Sequence, residues 1–218
     1  MTLLNIKLSN GTKRLVKYKA PNKGKVTIGG RTYPTVKIGN QWWMAENLDW
    51  KWNGLQLGNH GESTTIQLAN YYNYDEATYG INGNKYGLLY NHKAVEYLES
   101  NKDTMLPDGW QVPSHDDYLV LINFIGADIA GTKLKSRTGW NNEGNGTDDY
   151  NYSAVPSGYD WNGNFGNIGT RGQYWTKTSN GINGQFYCIY FSSNRTDLPI
   201  FDDGPALYVS LRLVKDAT

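Results

Sequence analysis

From Leu207 to Leu213 the chain alternates, with Leu207, Val209, Leu211 and Leu213 apolar and Tyr208, Ser210 and Arg212 between them. A period of two places these sets on opposite faces of an extended chain, so the run 206–216 predicts a half-buried antiparallel strand. Shorter runs of similar character recur: KVTI at 25–28, TYPTVKI at 32–38, QWWMAEN at 41–47, GQYWTKT at 172–178 and GQFYCIYFSS at 184–193. Gly29-Gly30 and Gly39-Asn40 separate the first three as turns do. A chain with 17 Tyr, 8 Trp and 25 Gly suits strands and loops better than a helical bundle.

Two helices interrupt the strands. Ala94, Val95 and Leu98 share one face of a helix over about 91–100. A second helix starts after Pro113, where Ser114 as N-cap and Asp117 three residues on form a capping box. Leu119, Ile122 and Phe124 or Ile125 are its expected buried stripe, and Gly126 its end. Residues 51–90 are turn-rich, and 126–172 read as long Gly/Asn/Asp connections. The fold class is therefore α+β, with antiparallel strands and long ordered loops.

Residues 3–7 and 14–18 flank Ser9-Asn10-Gly11-Thr12, a strong hairpin signal, and the breaker-rich APNKGK follows. We take 1–24 as an N-terminal hairpin or anchoring appendage and 25–218 as the main domain. The first residues hold an early lysine and no long apolar run, so neither a secretory nor a lipoprotein signal is expected. Nor is any apolar run long enough for a membrane-spanning helix. With 21 basic and 20 acidic residues, the net charge of +1 argues against nucleic acid as a partner.

Reactive chemistry is sparse. The single cysteine, Cys188, excludes an internal disulfide and a cysteine-based zinc cluster, and its apolar run suggests a buried, inert thiol. Ser114-His115-Asp116 resembles a triad in composition only, because consecutive residues at a helix start cannot face one another. His60, His92 and His115 show no paired-ligand spacing. The loop GWNNEGNGTDDY at 139–150 is the exception, since Asn145, Asp148 and Asp149 could supply oxygens to calcium. The competing reading is that these side chains cap and turn the loop itself. No metal site is assigned; calcium stays open.

Four segments in order carry a family resemblance: TVKIGNQWWMAENL (35–48), YGLLY (86–90), LPDGWQVPS (106–114), and LKSRTGW (134–140) running through NNEGNGTDDYNYSAVPSGY to SLRLVKD (210–216). Over about residues 26–217 the chain resembles the Fibrobacter succinogenes major paralogous domain, found in Bacteroidetes surface proteins and in phages of those bacteria. The resemblance implies a C-type lectin-like fold of two helices, antiparallel strands and a long loop region. It does not imply the calcium-dependent sugar site of C-type lectins, because the Glu-Pro-Asn or Gln-Pro-Asp signature is missing and Trp140-Asn141-Asn142 is a partial echo. Formylglycine-generating enzymes share the general fold but need a cysteine pair, so no enzymatic activity is expected.

Members of the family commonly carry cysteines where Leu106 and Leu213 stand here. The resemblance thus implies that an apolar contact replaces a disulfide, as suits a reducing cytoplasm. Together these features point to a binding module on a phage particle, assembled in the host cytoplasm, for adhesion to host surface or glycan or for virion decoration. A bacterial cell-surface or secreted binding protein is the alternative, and a purely structural virion cement protein the third. Residues 1–24 would anchor the protein to neighbouring virion or surface subunits, in a homo-oligomer or larger assembly. By the same resemblance, ligands would meet the face of the last strands at Asn180, Asn183, Gln185, Tyr187, Tyr190, Ser192, Asn194, Arg195, Asp197 and Asp202. Tyrosine, asparagine, serine and arginine suit recognition, although Tyr187 or Tyr190 could instead point into the core. Trp42, Trp43, Trp110, Trp140 and Trp175 lie in framework motifs and are expected in the core.

Overall fold

A computed structural model describes residues 22–58, 66–80, 86–182 and 184–217, together with the backbone of 2–7 and 13–18. Strands β1 (Thr2–Lys7) and β2 (Lys13–Tyr18) pair antiparallel, from Thr2 opposite Tyr18 to Lys7 opposite Lys13. This is the expected hairpin; its Asn10-Gly11 turn lies outside the described residues. The next strand, β3 (Lys23–Ile28), already pairs with β4 (Arg31–Ile38), so the main sheet system begins two residues before the boundary read from composition.

β4 continues through a Gly39-Asn40 turn into β5 (Gln41–Met44). There follow β6 (Gln56–Leu57), β7 (Leu68–Asn70), α1 (Glu76–Tyr79), β8 (Leu89–Asn91), α2 (His92–Ser100), α3 (Lys102–Met105), α4 (His115–Ile125) and α5 (Ala130–Leu134). The chain closes with β9 (Ser157–Trp161), β10 (Asn164–Ile168), β11 (Arg171–Ser179), β12 (Phe186–Ser192), β13 (Ile200–Asp203), β14 (Leu207–Val209) and β15 (Val214–Asp216). Among the described residues the larger sheet runs β13-β12-β11-β9-β14-β8-β7-β6, with β10 on β9, and the smaller runs β15-β5-β4-β3. The fold is mixed α+β, with few helices and many strands in open sheets.

The alternating run near the C-terminus is not one half-buried strand. It divides into β14 in the larger sheet and β15 in the smaller, with Ser210–Leu213 crossing between. Both faces are covered: Leu207, Val209, Leu211 and Leu213 join one core cluster, Tyr208 joins Leu68, Tyr72 and Leu89 in another, and Arg212 is fully buried. Alternation reports two different neighbours, and here neither is water.

Both long helices form where expected. The Asn91 side chain accepts from the Ala94 N–H at 3.0 Å to cap α2, which buries Ala94, Val95 and Leu98. Ser114 and Asp117 form the reciprocal capping box of α4, worth about 1 kcal/mol. The buried stripe of α4, however, is Tyr118, Leu121, Ile122 and Ile125, while Leu119 and Phe124 are exposed. The Tyr118 ring packs on Trp43, with centroids 4.8 Å apart, and this fixes the rotation of the helix. The stretch 126–172 also holds more regular structure than its composition suggests. β9 and β10 form a hairpin whose Asn162 and Gly163 both have positive φ (50° and 84°), the backbone of a type I′ turn.

Candidate functional site

The polar loop at 139–150 directs its oxygens at the chain. Asn145 Oδ1 accepts from the Trp140 N–H at 3.0 Å. Asp148 accepts from the Ser153 N–H at 2.8 Å and from the Ser153 hydroxyl at 2.6 Å, and Asp149 pairs with Lys133. A Cβ added at Gly146 would lie 2.3 Å from the Lys135 carbonyl oxygen, and one at Gly144 would lie 2.5 Å from the Ser193 backbone. The glycines therefore let the loop backbone pack onto neighbouring backbone. Among the described residues no group of three or more His, Cys, Asp or Glu converges as metal ligands do.

The nucleophile candidates are similarly occupied. Ser114 Oγ donates to Asp117 at 2.7 Å, and His115 Nδ1 lies 3.1 Å from Asp116, so serine and histidine do not pair. Burial pushes the Cys188 thiol well up from its ordinary pKa. Burial likewise depresses His92 to about 3, and its neutral ring stacks on Phe186 with Nε2 facing the Thr176 carbonyl at 3.3 Å.

The residues expected to meet ligands fall into three groups. At the β11–β12 end, Asn180 donates to Gln185 Oε1 at 3.1 Å and to Asp202. Tyr187 stands opposite Asp202 in register and its ring meets His115, with centroids 4.6 Å apart. In the turn after β12, Ser192 donates to Asn194 at 2.7 Å, and Arg195 binds Asp197 through Nε and Nη2 at 2.8 and 2.6 Å. Asn183 lies outside the described residues. Tyr190 stands apart from both groups, because three residues along a strand place it on the face opposite Tyr187.

Around Tyr190 the sheet assembles a cluster that no local pattern announces. Arg171 lies over the Tyr190 ring at 4.7 Å and the Tyr159 ring at 5.5 Å. Phe201, itself 51% exposed, meets Tyr190 edge-on with centroids 5.0 Å apart. The order across the sheet is thus Phe201 on β13, Tyr190 on β12, Arg171 on β11 and Tyr159 on β9. Beneath them the Tyr190 hydroxyl donates to Asp203 Oδ2, and Gln173 Nε2 donates to the same oxygen at 2.7 Å. Burial raises the Asp203 pKa, opposed by those two donors and by Arg171; burial and the bond to Asp203 hold the Tyr190 phenol well above its usual range. Among the described residues the Arg171 guanidinium makes no hydrogen bond or ion-pair contact; it lies over the two rings and within electrostatic reach of Asp203. Partly exposed, it can donate to a ligand. Of this cluster the sequence supplied only Tyr190; Phe201 and Asp203 could have been found from their parity with Cys188 and Phe186, and Arg171 from the antiparallel register of β11 with β12, but Tyr159 arrives through a parallel pairing that leaves no sequence signal.

A second arginine organises the interior. Arg212 Nε donates to Asn47 Oδ1 at 2.9 Å, Nη1 to the Met44 carbonyl at 3.3 Å and to the Tyr152 carbonyl, and Nη2 to the Ser153 carbonyl at 2.8 Å. It therefore ties the end of the polar loop to the segment after β5. The arrangement of these motifs agrees with a family model: the Fibrobacter succinogenes major domain matches residues 36–215. The chain belongs to that family. No curated protein and no solved structure matches it. In this Fibrobacter succinogenes major domain, Leu106 and Leu213 are both buried in one core cluster. Trp43, Trp110, Trp140 and Trp175 are buried and Trp42 partly so, as framework residues should be. No helix among the described residues is long and apolar enough to cross a membrane.

Proposed function

We propose that this protein is a non-enzymatic binding module of C-type lectin-like architecture that uses the Tyr159–Arg171–Tyr190–Phe201 row as its contact surface. The observation that carries this reading is Arg171, a partly exposed guanidinium lying over two tyrosines and making no hydrogen bond among the described residues. Rigid rings and an unengaged five-donor cation are what recognition surfaces concentrate. Their support is stiff, since the same strands bury Tyr174, Ile189 and Phe191 on the opposite face.

The biological setting we favour is a phage particle assembled in the host cytoplasm, with the module mediating adhesion to a bacterial surface or glycan, or decorating the virion. Family membership and the leucines at 106 and 213 support it, and the β1–β2 hairpin would hold the module to a neighbouring subunit. The test is binding of labelled full-length protein to a panel of Bacteroidetes cells. We expect strain-selective binding that Arg171→Ala/Tyr190→Ala reduces at least about tenfold, the scale of one or two lost hot-spot contacts. Equal binding by the folded double variant would remove this face from the contact. Binding to no strain would favour virion architecture instead.

A further inference from the structure

On the other side of Arg212 lies a cleft of about 480 Å³, between the outer strand β3 and residues 151–155. Its charged lining is Lys23, Lys25, Arg212 and Glu46. Glu46 is already held by Arg31 at 2.8 Å, and neither lysine has an ion pair among the described residues. Arg212 is completely buried, yet its acceptors are one side-chain amide oxygen and three backbone carbonyls. Among the described residues no carboxylate touches it. The rings of Tyr152 and Tyr174, at 4.4 and 5.3 Å, and the carbonyl dipoles offset part of the cost of burying this cation.

Four bonds use four of the five guanidinium hydrogens, and the whole group is enclosed beside the Tyr152 ring, so Arg212 gives the cleft its charge and not an open donor. In a chain whose charges otherwise nearly cancel, this cleft gathers three cations around one occupied carboxylate. Its remaining wall combines apolar Pro34, Val36 and Val155 with polar Asn151 and Ser153. The volume is that of a small-molecule site.

We propose that this cleft binds a small carboxylate carried on a ring-sized, hydroxyl-bearing body. The carboxylate would take the two lysine ammonium groups, with the enclosed Arg212 charge behind them adding to the attraction. The ring would lie against the apolar wall, with its hydroxyls reaching Asn151 and Ser153. The site is separate from the Arg171 row and stands or falls independently of it.

Sodium glucuronate is the probe, with glucose as its neutral counterpart. Both are titrated into full-length ¹⁵N-labelled protein while the Arg212 Nε–Hε resonance and the amides of Lys25 and Ser153 are followed. We expect glucuronate to shift these signals with an affinity at least about tenfold above that of glucose, weakening as salt is raised. Lys23→Glu/Lys25→Glu, on exposed positions of an outer strand, should lose at least tenfold in affinity while keeping its native spectrum. Should that variant misfold, Lys23→Gln/Lys25→Gln takes its place. Absence of shifts at tens of millimolar glucuronate, equal affinity for glucose, or unchanged affinity in the lysine variant would each overturn the proposal.

Discussion

Two arginines in this molecule each lie over two tyrosines, and their circumstances are otherwise opposite. Arg212 is sealed inside with four hydrogen bonds to the chain, joining the segment after β5 to the loop at 152–153. Arg171 is partly exposed on β11 and, among the described residues, lies over rings near Asp203 with no hydrogen bond of its own. The same side chain in the same aromatic clamp is therefore a fastener in one place and an available donor in the other. What separates the two is where the hydrogen-bond capacity goes. The loop at 139–155 repeats the lesson: it looks like a ligand site by composition, but its carboxylates cap its own backbone and pair with Lys133.

Replacing each arginine by methionine, which keeps most of the apolar stem, tests that contrast most strongly. Arg212→Met leaves Asn47 and three backbone carbonyls without their donor, so we expect a loss of about 3–5 kcal/mol in urea unfolding. Arg171→Met removes only ring contacts near water and should cost about 1 kcal/mol or less. Similar losses for the two variants would break the comparison.

The next effect concerns the covered end of the face that Arg171 occupies at its open end. His92 is buried there against Phe186 and Trp175, with Lys93 the charged group that further lowers its pKa. Its pKa falls from 6.5 to about 3, so the folded protein holds it neutral while the unfolded chain takes up a proton below pH 6.5. The stabilisation is complete above pH 6.5 and is lost as pH falls toward about 3. Between about pH 7 and pH 4 this amounts to roughly 3 kcal/mol, at about 1.4 kcal/mol per pH unit. Asp160 and Asp203, whose pKa values burial raises, act in the opposite sense and lose stability as pH rises. The difference between wild type and His92→Gln therefore isolates the histidine: it should shrink by about 3 kcal/mol over that range. A constant difference would mean that water reaches the ring and that the face is open at both ends.

How much of this could be read in advance depended on the range of the interaction. The Ser114–Asp117 capping box spans one helical turn, and the Ala94, Val95 and Leu98 stripe little more, so both helices were legible. The stripe of α4 was misread by one position because Tyr118, not Leu119, finds Trp43, a residue from a distant strand. The division of 206–216 between two sheets left no mark in its alternation, since period two is the same whether the second face meets water or a second core. The candidate surface was the least legible part. Tyr190 stood out by type, but its partners come from β9, β11 and β13, and only the sheet order makes them neighbours.

The smallest expected effect is a null result on calcium. A site occupied at a hundred times its dissociation constant adds about 2.7 kcal/mol, which raises the melting temperature of a domain this size by about 5–10 °C. Because Asn145, Asp148 and Asp149 all have partners within the chain, we expect excess calcium and excess chelator to give melting temperatures within about 1 °C of each other. A calcium shift of several degrees that Asp148→Asn abolishes would show that the carboxylate leaves Ser153 for the ion. Because Arg212 holds the Ser153 carbonyl, such a site would have to form by reshaping the segment this arginine fastens. The interior arginine would then be holding a switch, and the division between fastener and donor would no longer follow burial.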